Sequence, residues 1–274
     1  PVAVGETITS NEPPNPSGGF VYLYPGFNPN VDGWSMTGSF TSPYTGLSLR
    51  ALDPDYDFDA YLYPHSTGSD NGFTSASRLA FSTRPSGCLE AVVFRNDTTP
   101  LNTYDMGVSN WGRVDGDYEV TCFASSFLAY DTATAVDLGQ DEYIQMRHVY
   151  VPSSATGWVS IDLEASPPEG PVHVGWLRAD HTFGGLNELV SEAVTDSAGH
   201  GRADLLVSTP GTCGVVVWRD PLEIPDPEAP APAVSVQLRV HATPPELHPL
   251  APDGWYRPLV PRPAADGTPA SVPM

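Results

Sequence analysis

Proline and glycine punctuate this chain from end to end, 30 and 25 of them among 274 residues. An interior proline deletes a helical hydrogen bond, and a glycine costs about 1 kcal/mol per helical position. Long helices and coiled coils are therefore excluded. Between the breakers lie short runs rich in β-branched and aromatic residues, the pattern of antiparallel strands joined by turns. Strands are expected at 20–24, 34–41, 47–51, 60–63, 77–82, 89–95 and 118–123, and again at 143–150, 158–164, 172–177, 202–208, 214–219 and 234–241. The length suits one large domain or two ordinary ones.

The run at 82–95 (Ser-Thr-Arg-Pro-Ser-Gly-Cys-Leu-Glu-Ala-Val-Val-Phe-Arg) resembles 208–219 (Ser-Thr-Pro-Gly-Thr-Cys-Gly-Val-Val-Val-Trp-Arg). Each is a turn, a cysteine, and an apolar strand closed by an aromatic residue and arginine. Gly33-Trp34 aligns with Gly157-Trp158, and 4–8 with 138–144, in the same order. Such self-similarity reads as one module written twice. The expected architecture is all-β: two tandem antiparallel β-sandwiches, jelly-roll or immunoglobulin-like, packed as beads over 1–128 and 129–245. An extended Pro-rich tail follows at 246–274.

The first module resembles the bacterial pre-peptidase C-terminal-like domain. The likeness is carried by Val4-Gly5-Glu6-Thr7-Ile8, Asp57-Phe58-Asp59-Ala60-Tyr61-Leu62-Tyr63, Ser77-Arg78-Leu79-Ala80-Phe81 and Ala91-Val92-Val93-Phe94-Arg95. The second module keeps the opening and closing strands but has Val174-Gly175-Trp176-Leu177 in place of the Asp-Phe-Asp element. The resemblance implies two copies of a secreted, non-catalytic accessory sandwich.

The formal net charge is −21, and all 12 basic residues are arginine. Such a chain repels phosphate backbones and anionic lipid, so nucleic acid and membranes are not expected partners. The absence of lysine and the excess of aspartate over glutamate fit either a GC-rich genome or a salty milieu. No apolar run approaches the ~20 residues of a membrane span. The first residue is Pro1, which fits removal of a secretion leader or of an initiator methionine; secretion is the expectation.

Asp53, Asp55, Asp57 and Asp59 alternate along the chain, and in an extended strand they would share one face. Ca²⁺ is the cofactor that such a row would hold. The rival reading is a solvated strand entry with one aspartate closing a turn. Pairing 89–95 directly with 118–123 brings Cys88 diagonal to Cys122, within reach of a disulfide, with two unbonded buried thiols acting as small apolar groups as the alternative. Cys213 is left free or bonded to another molecule. The seven histidines form no His-x-x-x-His or His-Glu-x-x-His spacing, and no Gly-x-Ser-x-Gly elbow is present, so no catalysis is expected. Strand tryptophans are expected in the core, with Trp111 and Trp255 in loops. Asn96-Asp97-Thr98 is a glycan acceptor sequence.

Within the tail, Trp255, Tyr256, Leu259 and Val260 supply aromatic and aliphatic anchors on a proline-stiffened strap, as a docking peptide does; a bare linker is the alternative. The expected function is a non-enzymatic extracellular structural protein. Its tail would dock on neighbouring copies in a filament, sheath or surface assembly. A carbohydrate-binding module or adhesin, and a viral decoration or tail protein, are the alternatives.

Overall fold

The computed structural model describes residues 5, 7–12, 33–36, 42–64, 78–95, 104–111, 116–166, 170–177, 183–224, 230–243, 246–249 and 256–259. Their architecture is all-β. The only helical pieces among them are 3₁₀ turns at Ser153–Ala155, Leu186–Glu188 and Pro221–Glu223.

Four sheets form the body. Sheet I orders β2 (Gly33–Met36), β7 (Tyr104–Asn110), β4 (Phe58–Pro64) and β5 (Ala80–Ser82). Sheet II orders β1 (Thr7–Glu12), β8 (Gly116–Ala124), β3 (Tyr44–Ala51), β6 (Glu90–Arg95) and β14 (Phe183–Gly185). Sheet III orders β15 (Ser191–Val194), β13 (His173–Leu177), β17 (Gly211–Trp218), β11 (Ile144–Val151) and β9 (Ser126–Phe127). Sheet IV orders β10 (Thr134–Ala135), β18 (Ser235–Ala242), β12 (Gly157–Ser166) and β16 (His200–Val207).

The period of two along each strand divides its side chains between cores. Leu47, Leu49, Val92, Phe94 and Val120 of sheet II meet Phe58, Ala60, Leu62 and Val108 of sheet I, closing the first sandwich. Val149, Val174, Trp176, Val215 and Val217 of sheet III meet Val159, Ile161, Leu205, Val236 and Val240 of sheet IV, closing the second. A third core lies between sheets II and III. There Tyr44, Ala91, Val93 and Phe123 meet Ile144, Met146, Leu177, Val216 and Trp218. Each large side chain fully buried contributes roughly 1.5–3 kcal/mol, so this seam resists opening.

The expectation of two beads is therefore corrected: the sandwiches are stacked face to face in four layers. The sheet exchange makes the join tighter. Strand β14 leaves the second sandwich and pairs with β6 of the first, Phe183 opposite Phe94 and Gly185 opposite Val92. The adjoining turn buries Leu186, and the Asn187 side-chain amide donates to the Thr83 hydroxyl at 3.2 Å.

The segments matched in sequence occupy corresponding layers: β6 and β17 lie in the two inner sheets, β2 and β12 in the two outer ones. Their neighbours differ, since β2 is an edge while β12 is flanked on both sides. In the tail, β19 (Glu246–Pro249) and β20 (Tyr256–Leu259) pair as a separate antiparallel hairpin. The rest of the tail lies outside the described residues.

Candidate functional site at the seam

The seam between the sandwiches holds several buried charged groups. At one end, Arg84 precedes β6 and Asp220 follows β17. Its guanidinium grips both oxygens of Asp220 at 2.7 and 2.6 Å, and Asp220 also accepts the Leu89 backbone N–H at 2.8 Å. One sandwich supplies the cation and the other the anion, both largely dehydrated; a forked pair of this kind is directional.

Behind Asp220 stands His173, the first residue of β13. It is buried, stacked on the Trp218 indole with ring centroids 4.9 Å apart. Its Nδ1 faces Glu192 at 3.1 Å and its Nε2 faces Glu223 at 2.6 Å, with Asp220 at 3.8 Å. Burial acts to lower the imidazole pKa, but the hydrogen bonds to the two glutamates outweigh it and the net shift is upward. Among the described residues, His173, Asp220 and Glu223 form the group able to hold a metal, their ligand atoms all within 4.8 Å of one another. Glu90, on the opposite face of β6 with Val92 and Phe94, is almost wholly buried inside the first sandwich, and desolvation raises its carboxyl to about 8. Burial likewise lifts the Cys88 thiol to about 11.

Further along the seam a cleft of about 370 Å³ opens between sheet II and the loop leading into β11. Arg50 and Glu119 form one wall, paired at 2.7 Å, and Gln140, Asp141 and Tyr143 form the other. Arg50 also donates to the Tyr143 hydroxyl at 3.2 Å. The loop is fixed from behind by the buried Arg219, which donates to the carbonyls of Gly139, Glu142 and Pro232.

The residues singled out from sequence lie elsewhere. The stretch from Asp53 to Asp57 is a turn, and strand β4 begins only at Phe58, so the premise of four carboxylates on one strand face does not hold. Asp53 accepts the backbone N–H of Asp55 at 2.9 Å, a turn-closing bond. Asp59 lies on the face of β4 opposite Phe58 and Ala60, buried beside Tyr61, whose hydroxyl it accepts at 2.7 Å, and desolvation raises its pKa to about 6. No cluster of metal-ligating groups forms at this run among the described residues.

The proposed neighbours Cys88 and Cys122 are separated because β3 lies between β6 and β8. Two strand spacings alone amount to about 10 Å, beyond disulfide reach. All three cysteines are free, with Cys122 and Cys213 buried. Of the strand tryptophans expected in the core, Trp176 and Trp218 are fully buried and Trp158 is half-buried, while the side chain of Trp34 lies outside the described residues; Trp111 is half-buried. Asn96, Trp255 and Val260 lie outside the described residues, and for Tyr256 and Leu259 only the strand is described. Among the described histidines, His241 pairs with Asp162 at 2.7 Å, while the nearby Ser160 hydroxyl bonds Asp204 and Thr243 instead.

No helix among the described residues is long and apolar enough to cross a membrane. No protein-family model matches the chain, and no curated protein matches it. Among solved structures, the chain is similar to the pre-peptidase C-terminal domain of a Bacillus anthracis collagenase, at 12% identity over 42% of this chain and 93% of that one, with a TM-score of 0.31. The PBSX exported protein XepA is similar at 9% identity over 80% of this chain and 88% of that one, with a TM-score of 0.26. The N-terminal CBM22 tandem domain of a Paenibacillus barcinonensis protein is similar at 9% identity over 74% and 79%, with a TM-score of 0.25.

Proposed function

We propose that this chain is a non-enzymatic extracellular structural protein, a rigid building block of a filament, sheath or surface assembly. The observation that carries the reading is the seam. Two sandwiches share a third hydrophobic core and exchange β14, so the chain devotes two whole sheet faces to making itself one stiff unit. An assembly that bears load needs such blocks. The tail hairpin is the element offered to a neighbouring copy, with Trp255, Tyr256, Leu259 and Val260 as its anchors. Open sheet edges give a further route by strand addition. The sequence resemblance to secreted accessory sandwiches agrees with this role.

A net charge of −21 per copy opposes contact between copies. Assembly is therefore expected to need screening or bound cations. Sedimentation and negative-stain electron microscopy across salt and Ca²⁺ concentrations test the proposal. Assemblies that form at high ionic strength, and that shrink on deletion of residues 246–274, support it. A monodisperse monomer under every condition overturns it.

The cleft favours a second reading, glycan binding. Its walls offer planar polar groups, Arg50, Glu119, Gln140 and Asp141, beside the Tyr143 ring. Such groups suit a polyhydroxylated ligand. A glycan-array signal lost in Arg50→Ala would favour this reading over assembly.

A further inference from the structure

We propose that His173, Asp220 and Glu223 form a binding site for a borderline divalent transition-metal ion such as Zn²⁺, with Glu192 as the residue that positions the imidazole. The site is independent of the assembly role.

Three observations converge on it. The first is the donor set. An imidazole from β13 and two carboxylates from the turn after β17 bring their ligand atoms within 4.8 Å of one another. A tetrahedral ion with ligands at about 2.0–2.2 Å separates neighbouring donors by roughly 3.3–3.5 Å. The His173 Nε2 to Asp220 Oδ2 distance of 3.8 Å and the Nε2 to Glu223 Oε2 distance of 2.6 Å bracket that spacing. Glu223 is the adjustable member: its side chain is 36% exposed at the end of a 3₁₀ turn, so a small rotation opens the ligand triangle.

The second is the outer support. Nδ1 of His173 faces the Glu192 carboxylate at 3.1 Å, and the ring lies flat against Trp218. A carboxylate on one ring nitrogen leaves the other turned towards the ligand position, the arrangement that orients metal-bound histidine. The third is charge. With a neutral imidazole, the carboxylates of Asp220, Glu192 and Glu223 exceed the single cation Arg84 by two charges, which one divalent ion cancels. An imidazole ligand selects Zn²⁺, Co²⁺ or Ni²⁺ over Ca²⁺ and Mg²⁺. Three protein donors leave room for water as the fourth, on the side that Glu223 exposes to solvent.

The competing arrangement is an imidazolium bridging Glu192 and Glu223, which takes up no metal. Calorimetric titration of the chelator-treated full chain with Zn²⁺, and the visible spectrum of the Co²⁺ form, separate the two. The expected result is one saturable Zn²⁺ site per chain, absent with Ca²⁺, and an intensified Co²⁺ d–d absorption. Glu223→Gln is expected to weaken Zn²⁺ binding about tenfold or more, and Glu192→Gln about 10–100-fold with an altered Co²⁺ spectrum. Both residues are partly exposed, so the variants fold, and their thermal midpoints without metal serve as the control. Absence of a stoichiometric site, or unchanged affinity in Glu223→Gln, overturns the proposal.

Discussion

Replacing Gly185 by alanine tests the join between the sandwiches at one atom. Gly185 has φ of −117°, an extended conformation that alanine adopts freely. Only the neighbouring backbone opposes the change. A Cβ there would stand 1.7 Å from the Phe81 carbonyl oxygen and 2.5 Å from its carbon. Real Cβ contacts stay beyond 3.0 Å, so the arm must retreat by more than 1 Å from β5, or peel from β6. Retreat exposes Leu186, which is 3% accessible, and strains the bonds from the Gly185 and Phe81 backbone N–H groups to Glu188. Overpacking of this kind costs about 1–3 kcal/mol, and partial loss of a buried leucine adds about 1 kcal/mol. The expected loss is about 2–4 kcal/mol in urea unfolding. Gly211→Ala is the internal control, because a Cβ at that position in β17 meets nothing within 4 Å. It should change stability by less than about 0.5 kcal/mol. Equal stability of the two variants would refute the exchange of β14 into the first sandwich.

Other outcomes follow from the buried groups. Arg84→Met should cost about 3–5 kcal/mol because it strands the buried Asp220 carboxylate, and adding Asp220→Asn should recover part of that loss; strict additivity in the double-mutant cycle would contradict the pairing. Glu90 has its carboxyl raised from 4.5 to about 8 by burial, and Asp59 is raised to about 6. A carboxyl raised in the folded state stabilises fully below its unfolded pKa and loses that contribution as pH climbs through the folded value. Stability should therefore decline from about pH 5 to about pH 8, and Glu90→Gln should flatten that decline; parallel curves for the two proteins would refute the burial of the charge. Thiol labelling without reductant should find Cys88 reacting in the folded protein, with Cys122 and Cys213 labelled only after unfolding; a missing pair of thiols would restore the disulfide.

Much of the strand content was legible because local pattern decides it. The alternation of Val234-Ser235-Val236-Gln237-Leu238-Arg239-Val240 predicted a strand at 234–241, and β18 runs Ser235–Ala242 with its burial alternating. The stacking was also written in the sequence, in the lack of alternation along two strands. Val92-Val93-Phe94 and Val215-Val216-Val217 are continuous apolar runs without alternation, the mark of strands covered on both faces. One uncovered face would have made every second residue polar. Strand β14 could not be read, since Phe183-Gly184-Gly185 looks like a turn and its partner β6 lies about 90 residues away. The seam cluster was hidden for the same reason. Arg84, His173, Glu192, Asp220 and Glu223 share no spacing motif and meet only through the packing of sheets II and III. The aspartate run misled because alternation in sequence implies one face only where the backbone is extended, and Asp53 to Asp57 turns instead.

The central claim is that the two sandwiches are one cooperative body. Differential scanning calorimetry of the full chain addresses it directly. A single transition, with calorimetric and van't Hoff enthalpies equal, is what a shared third core requires. Two resolved transitions, or a calorimetric enthalpy about twice the van't Hoff value, would show that the halves melt independently and would contradict it.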